Sequence, residues 1–250
     1  MDLALKDRAG LVTGASSGIG RGIALALGRE GVRLAVAARR LNLLESVADE
    51  IEAAGGPRPA LIDCDFLRED AAETISRAAL DALGRVEILV NNAGGSRPLP
   101  ADAGEDRWEE AITLNFTRHR QLTQRLLPVM IDNGWGRIIN ISGKSEPEGI
   151  NGAFCAKAAL HSWAKGLSRE VGPKGITVNS IPPGRIMSDQ IERNYSPEYR
   201  RWQSEHEIPV GEYGLPADIA HLVCYLASPL ARYITGTVIP VDGGLRRYQF

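Results

Sequence analysis

Short apolar runs rich in β-branched residues alternate along the chain with longer stretches in which apolar positions recur at helical spacing. The apolar runs predict seven strands, at 10–13, 33–37, 59–62, 88–90, 137–141, 177–181 and 238–240. The periodic stretches predict six helices, at 18–30, 43–54, 69–83, 108–130, 154–171 and 216–226. Because strands linked through covering helices run parallel, and these strands are apolar on both faces, the pattern predicts an α/β fold with one doubly wound parallel sheet and helices on both faces. No linker, repeat or low-complexity segment interrupts the pattern, so residues 1–250 are expected to form a single domain.

The segment 185–214 departs from this alternation of strands and helices. It is too long for a simple connection between two elements. It is also too rich in aromatic and arginine side chains for a disordered linker. We therefore expect an ordered excursion that covers one end of the sheet.

Composition and charge exclude several classes of protein. The net charge of −2 and the pI of about 6.1 provide no positive field for a nucleic acid, and no apolar run is long enough to span a membrane. Cys64, Cys155 and Cys224 are widely spaced and odd in number. They predict buried thiols in a reducing compartment, with neither a disulfide framework nor a metal site. With no signal-like start, the expectation is a cytoplasmic protein that acts on a small molecule.

A glycine-rich turn connects the first predicted strand to the first predicted helix. Gly14, Gly18 and Gly20 have the spacing T-G-x-x-x-G-x-G. Such a turn lets the backbone approach a pyrophosphate, whose negative charge is stabilised at the helix N-terminus. In isolation the same glycines are also compatible with a tight turn that binds nothing.

Further motifs accompany the turn: N-N-A-G at 91–94 after the fourth strand, P-G at 183–184 after the sixth, and V-D-G-G at 241–244. Together with the glycine turn, they resemble the short-chain dehydrogenase/reductase family, and its 3-oxoacyl-(acyl carrier protein) reductases in particular, over essentially the whole chain. The resemblance implies a Rossmann-type fold that binds a nicotinamide dinucleotide. It also implies a mobile substrate lid at 185–214 and assembly as a homodimer or homotetramer.

The resemblance assigns a role in cofactor binding to residues from several strand ends. In the family, the residue at Asp65 lies against the adenine, although an aspartate here also suits a helix N-cap. Asn91 corresponds to a residue that ties neighbouring strands together, and Ser188 to a hydroxyl that holds the nicotinamide carboxamide. Arg185 is either a clamp for a substrate carboxylate or a surface arginine. The full implied set is Gly14, Ser16, Ser17, Gly18, Ile19, Gly20, Asp65, Asn91, Ala93, Gly94, Lys157, Pro183, Gly184, Ile186 and Ser188.

The end of the second strand bears on the choice of dinucleotide. A carboxylate there would bind the adenosine ribose hydroxyls and repel a 2′-phosphate. This chain instead has Arg39 and Arg40, whose guanidinium groups match phosphate geometry. The sequence therefore favours NADP(H), with NAD(H) as the alternative if these two are merely solvated loop arginines.

The catalytic residues implied by the resemblance are only half present. Asn115 and Lys157 match the family's asparagine and lysine, but Gly143 stands at the place of the catalytic serine and Ala153 at the place of the catalytic tyrosine. Losing a general acid costs about 10²- to 10⁴-fold in rate, and losing an oxyanion donor about 10²- to 10³-fold. An enzyme with these changes needs a replacement for the proton donor.

Ser142 is the least contrived replacement, and Lys157 could also donate a proton through water. Other candidates are the loop residues Lys144, Ser145, Glu146 and Glu148, the lid residues Tyr195, Tyr199 and His206, and His119, one helical turn after Asn115. The loop side chains are also compatible with a solvated surface, the lid aromatics with the walls of an apolar pocket, and His119 with a structural or exposed position.

Three functions remain open from the sequence. The first is an NADP(H)-dependent oxidoreductase for a small or medium carbonyl or alcohol, with a non-standard proton donor. The second is a dinucleotide-binding protein without redox turnover, such as a regulatory or partner subunit. The third is a non-redox lyase or isomerase on the same scaffold.

Overall fold

The structure is a computed structural model that describes residues 1–143 and 149–247. Six strands form one parallel sheet in the order β3-β2-β1-β4-β5-β6. Their bounds are β1 Ala9–Thr13, β2 Arg33–Ala38, β3 Ala60–Asp63, β4 Ile88–Asn91, β5 Gly136–Ile141 and β6 Ile176–Ile181. The predicted α/β class and parallel sheet are confirmed.

Helices cover both faces of this sheet. The α-helices within the described residues are α1 Gly18–Arg29, α2 Leu41–Ala53, α3 Ala71–Leu83, α4 Glu105–Ile112, α5 Arg118–Asp132, α6 Gly152–Val171, α7 Asp189–Asn194, α8 Pro197–His206 and α9 Pro216–Ala227. One buried apolar cluster lies between the sheet and α1, α2 and α9, and a second lies between the sheet and α3, α5 and α6. Strands β1, β4, β5 and β6 are buried on both faces, as their continuous apolar sequences predicted, whereas the edge strand β3 is only partly buried.

The strand order reverses between β1 and β4, because the chain first builds outward through β2 and β3 and then returns to the other side of β1. The loops that follow β1 and β4 therefore diverge at their carboxyl ends and open a crevice. In doubly wound sheets this switch point is where ligands bind.

The prediction of a seventh strand at 238–240 is wrong. Single parallel bridges pair Ser180 with Val238 and Pro183 with Val241, so the segment lies beside β6 without forming a continuous ladder. Pro182, Pro183 and Pro240 lack the N–H donors that an uninterrupted ladder requires.

The helix predicted at 108–130 begins earlier and is not uniform. Between α4 and α5, Thr113–Thr117 form a π-helical segment, which contains one residue more per turn than an α-helix. The excursion at 185–214 contains α7 and α8, which the sequence pattern did not resolve.

The prediction of three buried thiols fails at Cys155, which is exposed on α6. Its neighbours in the sequence, Phe154 and Ala156, face inward instead.

Within residues 1–143 and 149–247, none of the helices combines the length and the apolar character needed to cross a bilayer.

Candidate active site

A cleft of about 750 Å³ lies over the carboxyl ends of β1, β2, β4 and β5. Its floor is formed by the glycine turn after β1, and its far wall by the start of α6 and the loop after β6. The cleft continues from Arg39 and Arg40 at one end to Ser142 and Lys157 at the other. It is therefore long enough to place an extended ligand along the strand ends.

Backbone conformation or close contacts favour glycine at three positions of the glycine turn. Gly14 and Gly18 have φ values of +67° and +54°, which L-residues rarely adopt. A Cβ at Gly20 would lie 2.2 Å from the carbonyl oxygen of Gly14. Ser17, the N-cap of α1, makes no side-chain capping hydrogen bond, so no side-chain oxygen of the N-cap satisfies the first N–H groups of the helix. The turn thus fits the pyrophosphate of a dinucleotide, with backbone approach and N–H donors in place.

Arg40 turns back from the end of β2 onto this same turn. Its Nη2 donates to Ser17 Oγ at 2.8 Å and to Ser16 Oγ at 3.2 Å. Arg39 is largely exposed, and its Nη1 lies 3.9 Å from Asp65 Oδ2. Asp65 caps a turn by accepting from the Leu67 N–H rather than capping a helix, since α3 begins only at Ala71. The cleft therefore has two guanidinium groups at the end where an adenosine ribose would lie.

The end of β4 is tied to its neighbours by side-chain amides. Asn91 Nδ2 donates to Asn140 Oδ1 at 2.9 Å, which links β4 to β5, and to Thr123 Oγ1 at 3.0 Å. Ala93 and Gly94 line the cleft, whereas Asn91 lies behind its wall. A Cβ at Gly94 would approach Asn115 Oδ1 to 2.8 Å, so a side chain there would displace Asn115.

The loop after β6 closes the opposite wall. Pro183, Ile186 and Ser188 line the cleft, and Ser188 stands beside Gly18 across it. The Ser188 hydroxyl also caps α7 by accepting from the Ile191 N–H at 3.3 Å. Gly184 does not line the cleft, because it packs against Asp242, with 2.5 Å between a Cβ built at Gly184 and the Asp242 Cα.

Asn115 lies at the centre of the π-helical segment. Its Nδ2 donates to the carbonyl of Ala111 at 3.0 Å, and its Oδ1 accepts from the Gly95 N–H at 3.1 Å. The widened turn thus holds this side chain on the loop after β4. The side chain is buried but still contributes to the cleft wall.

Lys157 reaches the cleft from α6. Its side chain is only 7% exposed, and its Nζ donates to the carbonyl of Ile141 at 2.8 Å. Burial disfavours the ammonium form and lowers the pKa of Lys157 to about 7. This lysine can therefore hold or release a proton near neutral pH.

Gly143 and Ala153 both line the cleft beside Lys157, at the two positions where the sequence lacks a hydroxyl. A Cβ built at Gly143 would meet Lys157 Cγ at 3.5 Å and Phe154 Cδ1 at 3.7 Å, which are ordinary contacts. Steric hindrance therefore does not exclude a serine at 143, and the site loses its hydroxyls without being filled by other side chains.

Ser142 lines the cleft and has a partner that sequence reasoning missed. Its Oγ lies 2.6 Å from Nε2 of His161 on α6. His161 follows Lys157 by four residues, so both side chains lie on the same helix face. That spacing was available in the sequence, but only the structure shows that the face packs on the end of β5.

The remaining candidates do not converge on the cleft. His119 is fully buried against Phe66, and burial lowers its pKa well below 6.5. Along the segment 185–214, ring contacts join Tyr195 to Tyr199, Tyr199 to Trp202 and Trp202 to His206. None of these four rings lines the cleft.

Arg185 also points elsewhere, because it pairs with Glu207 at 3.4 Å and does not line the cleft. Arg193, in the same segment 185–214, does line the cleft. Lys144, Ser145, Glu146 and Glu148 lie outside the described residues.

Comparison with known proteins is consistent with this architecture. A family model described as enoyl-(acyl carrier protein) reductase matches residues 14–246. The 3-oxoacyl-(acyl carrier protein) reductase FabG of Pseudomonas aeruginosa is 36% identical over 247 residues, which cover 97% of this chain and 99% of the relative.

Two solved structures carry bound dinucleotides. A 7 alpha-hydroxysteroid dehydrogenase complexed with NADH and 7-oxo glycochenodeoxycholic acid superposes with a TM-score of 0.91 at 32% identity, covering 97% of this chain and 96% of that one. The L-sorbose reductase from Gluconobacter frateurii, complexed with NADPH and L-sorbose, superposes with a TM-score of 0.93 at 26% identity, covering 99% of this chain and 100% of that one.

Proposed function

Because this chain belongs to the short-chain dehydrogenase/reductase family, we propose that it is an NADP(H)-dependent oxidoreductase acting on a small or medium carbonyl or alcohol, with a non-standard proton donor. The main support for this proposal is that one continuous cleft joins the glycine turn to Asn115, Lys157 and Ser142. The proposal includes a single domain over 1–250, a substrate lid at 185–214 and assembly as a homodimer or homotetramer.

The preference for NADP(H) rests on charge at the end of β2. Arg40 donates to Ser16 and Ser17, and Arg39 lies within 4 Å of Asp65. A 2′-phosphate bound between these guanidinium groups would accept charge-assisted hydrogen bonds from both arginines. These bonds would replace the neutral serine acceptors of Arg40 and the long ion pair of Arg39 with Asp65. NADH lacks that phosphate and gains nothing from the arginines.

When bound, the nicotinamide supplies or accepts the hydride. The chain's own residues must then bind the substrate oxygen and move its proton. Lys157, which lines the cleft and has its pKa lowered to about 7 by burial, would hold the nicotinamide ribose. Ser142 follows directly on β5, and its hydroxyl-bearing side chain lies on the cleft wall near Lys157. It is the group that takes the role left open at Gly143 and Ala153.

A second candidate function is dinucleotide binding without turnover. The absence of a side-chain oxygen at both Gly143 and Ala153 favours it. The two functions share the cofactor and differ only in chemistry, so one set of experiments separates them.

The experiment measures binding first and turnover second. Calorimetry with NADPH and with NADH should give tighter binding of NADPH, and failure of both to bind would contradict both functions. NADPH oxidation is then followed with L-sorbose, a 7-oxo bile acid and a 3-oxoacyl thioester as probes, and NADP⁺ reduction with the corresponding alcohols. Turnover with any probe supports the oxidoreductase, whereas binding without turnover supports the second candidate.

A further inference from the structure

A serine and a histidine form a close pair at the reacting end of the cleft. The distance between Ser142 Oγ and His161 Nε2 is 2.6 Å, which is a short hydrogen bond. Ser142 is held by its backbone, because its N–H donates to the carbonyl of Ile181 at 2.9 Å. The side chain of Ser142 is therefore fixed at the end of β5 and bonded to a ring that can titrate.

The two residues stand one behind the other. Ser142 lines the cleft, while His161 does not and contacts the Ser142 hydroxyl from outside the cleft lining. Gly143 and Ala153 leave space in front of Ser142, since neither carries a side chain beyond a methyl group. His161 is half-buried, so its ring retains a route to solvent. The order from cleft to solvent is thus substrate space, hydroxyl and imidazole.

The electrostatic surroundings set the charge of the His161 ring. Burial, followed by the charges of Lys157 on the same helix and Arg246 on the C-terminal segment, lowers the pKa of His161 below 6.5. The imidazole is therefore neutral at pH 7, and in its Nδ1–H tautomer the free Nε2 can accept the proton of the Ser142 hydroxyl. A neutral imidazole bonded to a hydroxyl is the arrangement of a general base with its relay group.

We propose that Ser142 and His161 form a proton relay that takes the place of the missing tyrosine; this inference rests on the proposed oxidoreductase function. In alcohol oxidation, the substrate O–H proton passes to Ser142 Oγ as the Ser142 proton passes to His161 Nε2. The hydride leaves the substrate carbon for the oxidised nicotinamide, so a carbonyl and an imidazolium form together. The imidazolium then releases its proton to solvent. Carbonyl reduction runs through the same steps in reverse and starts from the imidazolium.

Two substitutions test the relay. Ser142→Ala removes the hydroxyl. His161→Gln keeps a side-chain amide that can hydrogen-bond to Ser142 but cannot take up a proton at neutral pH. Each should lower kcat for oxidation by NADP⁺ by about 10²- to 10⁴-fold, with the dissociation constant for NADP⁺ unchanged. Because the two residues act as one unit, the double variant should lose no more than the single variants do. His221→Asn, on the exposed face of α9, is the matched control and should retain full activity.

The pH profile separates proton transfer from a merely structural role. Oxidation needs the neutral imidazole, so kcat of the native protein should fall on the acid side as pH drops through the lowered pKa of His161. His161→Gln should lose this acid limb. A His161→Gln variant with native kcat and an unchanged acid limb would overturn the relay alone. Tight NADP⁺ binding without turnover of any probe by the native protein would overturn the oxidoreductase and the relay together, and calorimetry distinguishes that outcome from loss of the cofactor.

Discussion

Lys157 is expected to link the stability of the fold to pH. Its ammonium group is taken out of water on folding and has the backbone carbonyl of Ile141 as its hydrogen-bond acceptor. Its pKa falls from 10.5 in the unfolded chain to about 7 in the folded protein. Between these two values the unfolded chain binds more protons than the native protein, so the free energy of unfolding must rise with pH across this window.

The size of the effect follows from the shift. At about 1.4 kcal/mol per unit, full protonation below pH 7 costs the fold on the order of 5 kcal/mol relative to a chain without the charge. Most of this cost is relieved as pH approaches 10.5. Between about pH 7 and about pH 9, the expected gain in unfolding free energy is about 2 kcal/mol.

Urea unfolding of the native chain and of Lys157→Met measures this gain. Methionine has a similar length and no charge, so it fits the same buried path. Groups distant from Lys157 titrate equally in both proteins, and their contributions cancel in the difference. His119 and His161, whose pKa values the Lys157 charge lowers, titrate below this pH window. Lys157→Met should be more stable at pH 7, and its advantage should shrink by about 2 kcal/mol at pH 9. Both proteins must be compared at one protein concentration, because assembly would add to stability. If the difference in unfolding free energy between the two proteins is the same at pH 7 and at pH 9, the pKa of Lys157 is not lowered.

Three further predictions concern the cleft. Arg40→Ala should weaken NADPH binding about 10- to 100-fold in calorimetry and leave NADH binding unchanged; equal losses for both would contradict a phosphate contact. Gly20→Ala forces a Cβ to 2.2 Å from the Gly14 carbonyl, so the melting temperature and dinucleotide binding should both fall. The double variant Gly143→Ser with Ala153→Tyr restores both hydroxyls and should raise ketone reduction by NADPH about 10²-fold or more. Ala153→Phe alone is its control for bulk, and equal rates in the two variants would argue against proton donation by the new tyrosine.

The fold was predictable because its signals are local and repeated. Six of the seven predicted strands form, since continuous apolar runs suit a sheet covered on both faces. The seventh failed where proline removes ladder donors, at Pro182, Pro183 and Pro240. Helices α7 and α8 were not predicted because α7 is short and α8 is mostly polar, so neither has a clear apolar stripe.

The site was only half predictable, because a motif gives the identity of a residue but not its depth. The glycine turn, Lys157 and Asn115 could be placed from spacing, and the structure brings all of them to one cleft. His161 could not, since an isolated histidine on a helix carries no signal until its partner at the end of β5 is known. The outward turn of Cys155 likewise depends on which face of α6 meets the sheet.

The π-helical segment Thr113–Thr117 also fixes the number of residues between α4 and α5. Removing one residue from it would restore regular helical winding and turn α4 by about 100° about its axis. Trp108 and Ala111 would then leave Gly152, which they contact at the start of α6, or Asn115 would leave Gly95. Surface loops accept insertions and deletions freely, but within these five residues such changes should abolish activity. The segment acts as a spacer of fixed length between two faces of the same cleft.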